Sequence, residues 1–230
     1  MTAFRHAEPH GAFTEVWKDL FMVTGQFRMG PGMAITRNMY VVRQGKELVV
    51  VSAMRLTPEG ESELDKLGKV THVVRIGGFH GADDPYYVDR YKPTFWAPAK
   101  ASEVPGARVL EPGACPIDGA QVFLFEKGKR PEAALLLPRE GGVLVTADAY
   151  QHWTSFEGCS FLGGIVGRLI GFGPMVIGGP WVKAQGPEIK ADFERLVELP
   201  FDNLLPGHGS VLRGGARDGL RAAMKKRFPS

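Results

Sequence analysis

A chain of 230 residues is long enough for one sizeable core, and with 44% hydrophobic and 23% charged residues it lacks the composition of a disordered protein. Lys and Arg outnumber Asp and Glu by 28 to 25, a net charge of +3 that is too small an excess to argue for nucleic acid. Cys115 and Cys159 are far apart and lack CxxC spacing, which excludes a disulfide framework or a zinc ribbon and leaves two reduced, buried thiols as the expectation.

Residues 1–13 carry Arg5, His6, Glu8 and His10 with no continuous apolar run. They read as a mobile N-terminus rather than a secretory signal, so a cytoplasmic location is expected. Strand-like runs follow over residues 14–26, 34–44 and 48–54, the last two separated by the turn residues Gly45 and Lys46. Thr57 then caps a short helix with Pro58 at its first position, Leu64 and Leu67 on one face and Gly68 at its end. A Val-rich strand over 70–76, in which His72 reads as a structural residue, runs directly into Gly77, Gly78, Phe79 and His80.

Short apolar runs at 94–98, 108–110, 121–125 and 133–137 are bounded by Gly, Pro or charged turns. The strand predicted over 141–146 delivers Asp148 just beyond its end. Residues 161–181 form the longest apolar stretch, but its many glycines and prolines and Arg168 argue against a transmembrane helix and against integral membrane contact. It reads as a flexible apolar loop or broken helix beside a pocket or a homo-oligomer interface. A helix over 189–199 buries Ile189, Phe193, Leu196 and Val197 and stops at Pro200, and a last short strand at 203–205 leads into Pro206, Gly207, His208 and Gly209. The basic stretch 213–227 is the solvated face of a helix that buries Leu220, Met224 and Phe228. Without repeats or a linker, residues 1–230 read as one domain, a mixed sheet sandwich flanked by helices.

Three strands thus end in short loops bearing residues that bind metals: His80 with Asp84, then Asp148, then His208. Loops at one edge of a rigid sheet framework are where binding groups converge, and imidazole with carboxylate suits zinc, iron or manganese.

The ordered set of a His-bearing loop after a strand, Thr146-Ala147-Asp148, and Leu204-Leu205-Pro206-Gly207-His208-Gly209 resembles the motifs of the metallo-β-lactamase superfamily, which includes glyoxalase II and other hydrolases. The likeness spans about residues 38–212, and Pro-Gly-His-Gly is its most specific piece. It implies an α+β fold, a four-layer αββα sandwich of two mixed β-sheets with helices outside. In members with intact motifs it also implies a metal-bound hydroxide attacking an ester, amide, thioester or phosphodiester. The family's first loop reads His-x-His-x-Asp-His; here His80-Gly81-Ala82-Asp83-Asp84-Pro85 keeps the first His and the Asp but has Ala82 and Pro85 at the other two positions. A further family His before the bridging Asp has no counterpart, since no His lies between His80 and His152.

The resemblance therefore implies a reduced site in which His80, Asp84, Asp148 and His208 hold one divalent ion, Zn, Fe or Mn, and Asp148 or Asp83 orients water for hydrolysis of a small ester- or amide-like substrate. The rival expectation is a metal-free, non-catalytic member that binds a ligand or partner in the remnant pocket. Simpler roles stand beside these: Asp148 as the cap of a helix starting near Tyr150, Asp83 and Asp84 as caps for a helix opening at Pro85, His80 bonding its own loop, and His152 sharing a helical face with Asp148 or packing at the surface. Tyr86, Tyr87, Tyr91, Phe95 and Trp96, with Trp153 and Phe156, are expected to wall a pocket beside the first loop.

Overall fold

The structure is a computed structural model that describes residues 4–229. Its first half is a meander of β1 (Thr14–Trp17), β2 (Leu20–Gly30), β3 (Met33–Gln44) and β4 (Glu47–Val51), continued by α1 (Pro58–Leu67), β5 (Lys69–Val74), α2 (Asp84–Tyr91), β6 (Thr94–Ala97) and β7 (Arg108–Val109). The second half contains β8 (Gln121–Leu124), β9 (Ala133–Leu137), β10 (Val143–Thr146), β11 (Tyr150–Gln151), α3 (Phe161–Leu169), β12 (Val176–Ile177), α4 (Gly179–Gln185), α5 (Ile189–Leu196), β13 (Asn203–Pro206) and α6 (Ala216–Arg227). Among the described residues no helix is long and apolar enough to cross a membrane.

The first seven strands form one sheet in sequential order. Its strands are antiparallel as far as β4 and parallel from β4 to β7. Parallel neighbours need a crossover rather than a hairpin, and α1 and α2 supply it. The N-terminus of α1 forms as its sequence predicts, with the Thr57 hydroxyl accepting from the Gly60 N–H at 3.3 Å. The second sheet has the order β13-β10-β9-β8, antiparallel except for the β10–β13 pair.

Side-chain alternation along the strands builds the layers. Val49 and Val51 of β4, Leu135 and Leu137 of β9, Val143 and Val145 of β10, and Leu205 of β13 meet in the core between the sheets. Their neighbours point outward: Leu48 and Val50 pack with Leu64 of α1 and Tyr87 of α2, while Leu136, Leu144 and Leu204 pack under Trp181 of α4, Phe193 of α5 and Leu220 of α6. The central strands of each sheet are buried on both faces, and the result is the expected αββα sandwich.

Several expectations change. Residues 9–11 are not a free N-terminal arm, because Gly11 N–H donates to Thr24 O, Gln26 N–H donates to Pro9 O, and the His10 Nε2 accepts from Thr57 N–H at 2.9 Å; residues 1–3 lie outside the described part. The two free thiols are half-buried rather than buried. The apolar stretch 161–181 is ordered into α3, β12 and α4.

Because Leu205 is fully buried on the strand that carries His208, Leu205→Ala should destabilise the fold by about 2–5 kcal/mol in urea denaturation. A loss below about 1 kcal/mol would contradict the packing between the sheets.

Candidate metal centre

The parallel pair β10–β13 ends in register, Thr146 opposite Pro206. Two residues beyond each lie Asp148 and His208, so this pairing alone sets the carboxylate and the imidazole side by side. The loop after β5 closes on the same edge: a Cβ on Gly77 would come 2.6 Å from the Cβ of Ala147, a distance only glycine permits. Arg75 winds that loop by donating from Nε to Gly77 O at 3.1 Å and from its terminal nitrogen to Gly78 O at 3.0 Å, and it presents His80 to the other two residues.

Strand β3 holds the turn that carries His208. Asn38 N–H donates to Gly207 O, the Asn38 amide donates to Pro206 O and Gly209 O at 2.9 Å each, and the Tyr40 hydroxyl donates to Pro206 O at 2.7 Å. Gly207 and Gly209 are needed because a Cβ on the first would overlap Ala147 and one on the second would lie 2.3 Å from His152 O, and Gly209 has φ +85°. The Trp153 indole lies parallel to the His208 ring at 6.1 Å and stacks with Phe172 at 4.9 Å, which fixes the imidazole plane.

His80 Nε2 lies 3.2 Å from His208 Nε2 and 3.2 Å from Asp148 Oδ2, and His208 Nε2 lies 3.1 Å from Asp148 Oδ1. His208 Nδ1 sits 2.7 Å from Thr36 O. With the ring proton on Nδ1 for that carbonyl, a neutral His208 turns its Nε2 lone pair into the group. Burial pushes the Asp148 carboxyl upward, but the imidazoles of His80 and His208 that face it outweigh this and hold the carboxyl well below the usual range. Asp148 Oδ2 nevertheless makes no directed hydrogen bond although it is shielded from water.

Behind Asp148 sits Glu132, 1% exposed, which the sequence reading missed. Its carboxyl accepts from Trp181 Nε1 at 2.8 Å and from the Asp148 N–H at 3.2 Å. Burial, and then the charge of Asp148, push Glu132 well above the ordinary glutamate range. The two buried carboxyls are thus pushed in opposite directions, Asp148 toward its charged form and Glu132 toward its neutral form. The sequence signal was a lone acidic residue abutting the apolar run of β9.

The structure does not bring Asp83 or Asp84 into the group. Asp83 is the N-cap position of α2 and Asp84 its first residue, one before Pro85, although Asp83 makes no side-chain cap. Asp83 is held by the Arg37 guanidinium and by Arg55 N–H at 3.1 Å, so its carboxylate is already engaged. Asp84, 2% exposed, faces Arg75 at 3.6 Å and neither of its oxygens has a hydrogen bond. Burial pushes its carboxyl up to about 7, with the Arg75 charge opposing. Asp148 caps no helix, since Tyr150–Gln151 is a strand paired with Val176–Ile177. His152 lies outside the group, its Nδ1 accepting from Met175 N–H at 3.2 Å.

The three donors sit at the floor of a cavity of about 390 Å³ whose walls include Phe27, Ile35, Phe79, Phe172 and Trp181. The expected wall of Tyr86, Tyr87, Tyr91, Phe95 and Trp96 is absent from it; Tyr87 and Phe95 pack outside the large sheet and Trp96 lies between the sheets.

Solved structures settle the architecture. The metallo-β-lactamase FIM-1 from Pseudomonas aeruginosa, in its mono-zinc form, superposes on 99% of this chain and 100% of its own with a TM-score of 0.69 and 12% identity. This chain has the metallo-β-lactamase fold. Metallo-β-lactamases from Hirschia baltica and Pontibacter korlensis share it at TM-scores of 0.67 and 0.66, with 12% and 11% identity over 97% and 93% of this chain and 100% and 98% of theirs. No family model and no curated protein sequence matches the chain. On the metallo-β-lactamase framework His80, Asp148 and His208 form a compact group, their ligating atoms all within 4.8 Å of one another. Tetrahedral coordination at about 2.0–2.1 Å places donors roughly 3.3–3.4 Å apart. The 3.2 Å between the two imidazole nitrogens, with each nitrogen 3.1–3.2 Å from a different oxygen of Asp148, is close to that spacing, so the three side chains fit a site of this size.

Two outcomes test this geometry. Gly209→Ala should cost about 1–3 kcal/mol in chemical denaturation, because it combines a positive φ with an overlap at His152 O, whereas a neutral effect would contradict the turn described. For Asp84 the folded pKa of about 7 exceeds its unfolded value, so its contribution is full in acid and is lost as pH rises between about 4 and 7. Asp84→Asn should abolish that fall, and an unchanged stability-versus-pH curve would rule out a buried, proton-retaining Asp84.

Proposed function

We propose that this protein is a metal-dependent hydrolase with a mononuclear centre held by His80, Asp148 and His208, acting on a small, largely apolar ester- or amide-like molecule. The observation that carries the reading is that three donors from three different loops converge, their ligating atoms within 4.8 Å of one another, on the lining of an apolar cavity. A divalent ion held there supplies Lewis acidity, polarising a carbonyl and lowering the pKa of water toward about 7. Two imidazoles and one carboxylate with an open position suit Zn, Fe or Mn.

The chain's own residues prepare that chemistry. Asp148 stays ionised because two imidazoles face it. His208 keeps its Nε2 free because Thr36 O takes the Nδ1 proton. Glu132 fixes the backbone of Asp148, and the aromatic walls exclude water from a bound apolar group. Ala82 lines the cavity where the resemblance has a second histidine, leaving space in place of a donor.

That same substitution, with Pro85, favours the second reading, a metal-free protein that binds its ligand in the cavity. Elemental analysis of untagged protein prepared without chelator separates the two. About one equivalent of Zn, Fe or Mn is expected, with affinity weakened at least about a hundredfold in His208→Ala and with chelator-sensitive hydrolysis of an aryl ester. Absence of any metal after reconstitution would overturn the hydrolase reading and leave the ligand-binding one.

A further inference from the structure

Helix α3 is built the wrong way round for a helix that only packs on its own domain. Its buried residues are Gly163, Gly164 and Gly167, and a Cβ on Gly163 would lie 2.0 Å from Ala34 O, so the backbone rides directly on β3. Its large side chains face solvent: Phe161 is 82% exposed, Leu169 80%, Leu162 49% and Ile165 39%. An isolated helix of a soluble domain normally buries its bulky residues and exposes polar ones. Here Ser160 caps the helix by accepting from Gly163 N–H at 3.1 Å, so the exposed apolar face is held in an ordered element.

The surface continues beyond α3. Met29, at the tip of the β2–β3 hairpin, is 50% exposed, Phe79 44% and Ile170 39%, and all three also line the cavity above His80 and His208. Apart from Val109, every exposed large hydrophobic among the described residues belongs to this one face. No acidic residue occurs between Glu157 and Glu188, where the only charges are Arg168 and Lys183. Arg130 lies over the Phe79 ring, and Arg28, paired with Glu8 at 3.2 Å, neighbours Met29 at the hairpin tip.

We propose that α3, the β2–β3 hairpin tip and Phe79 form a docking surface for an anionic lipid layer, with the cavity mouth opening onto the apolar phase. An apolar rim whose segment between Glu157 and Glu188 carries only cationic charge has the chemistry of an interfacial helix, which lies in the plane of the headgroups with its bulky residues in the acyl region. A second copy of the chain seated on the same residues would cover the cavity mouth, whereas a lipid surface leaves an apolar molecule free to pass into the cavity without crossing water. This docking is independent of whether the three donors hold an ion.

Co-sedimentation with vesicles of phosphatidylcholine mixed with phosphatidylglycerol, and with phosphatidylcholine alone, tests the proposal. Wild-type protein should partition into the mixed vesicles, more weakly into the neutral ones, and less in high salt. The double substitution Phe161→Asp with Leu169→Asp should lower partitioning at least about tenfold, with unchanged thermal stability and metal content. His208→Ala should bind vesicles like wild type, which keeps this outcome separate from that of the hydrolase reading. Wild-type protein that stays in the supernatant, or a double variant that binds as well as wild type, would overturn it. So would a dimer in sedimentation velocity that the same two substitutions dissociate, since that would make a second copy the occupant.

Discussion

The parallel pairing of β10 with β13 is the constraint on which the site depends. Residues in these strands share a register that ends together at Thr146 and Pro206, and each strand is buried on both faces. A slip of one residue would exchange Val145 and Leu205 with their outward-facing neighbours and carry the whole apolar set to the wrong layer. Packing of the two cores therefore fixes the position of Asp148 relative to His208, and β3 locks it by binding the carbonyls of Pro206, Gly207 and Gly209. The same residues that hold the sandwich together thus aim the ligating atoms.

Electrostatics then separates two carboxyls that share one backbone hydrogen bond. Asp148 N–H donates to Glu132 while the Asp148 side chain faces two imidazoles. Two negative charges this close in a dry interior repel strongly, and the one with positive or polarisable partners retains its charge. Glu132 tethers Trp181, and so α4 and a wall of the cavity, to the loop that carries Asp148.

Much of the fold was legible because its strands are short apolar runs with unmistakable punctuation: Val-rich β5 running into Gly77 and Gly78, β10 into Asp148, β13 into Pro-Gly-His-Gly. His80, Asp148 and His208 were legible for the same reason, as polar residues placed just past buried strands. Asp84 followed the family spacing in the first loop, yet as the first residue of α2 it faces Arg75 rather than the three donors. The helix imagined after Asp148 failed because Tyr150 and Gln151 find a strand partner in β12, some 25 residues later by sequence number, which no local pattern announces. Arg37, Asn38 and Glu132 act only through tertiary contacts with distant segments and left no periodic signal. In 161–181 the glycines read as interruptions, yet in three dimensions they are the inward face that brings α3 close to β3.

The three loops that carry His80, Asp148 and His208 are proposed to make one mononuclear metal centre. X-ray absorption at the metal edge of zinc-loaded protein measures it directly. The account predicts a single zinc with two imidazole nitrogens and a carboxylate oxygen at about 2.0–2.1 Å, with the imidazole count falling to one in His80→Ala. Three or more imidazoles, a pair of neighbouring metals, or a spectrum unchanged by His80→Ala would contradict it.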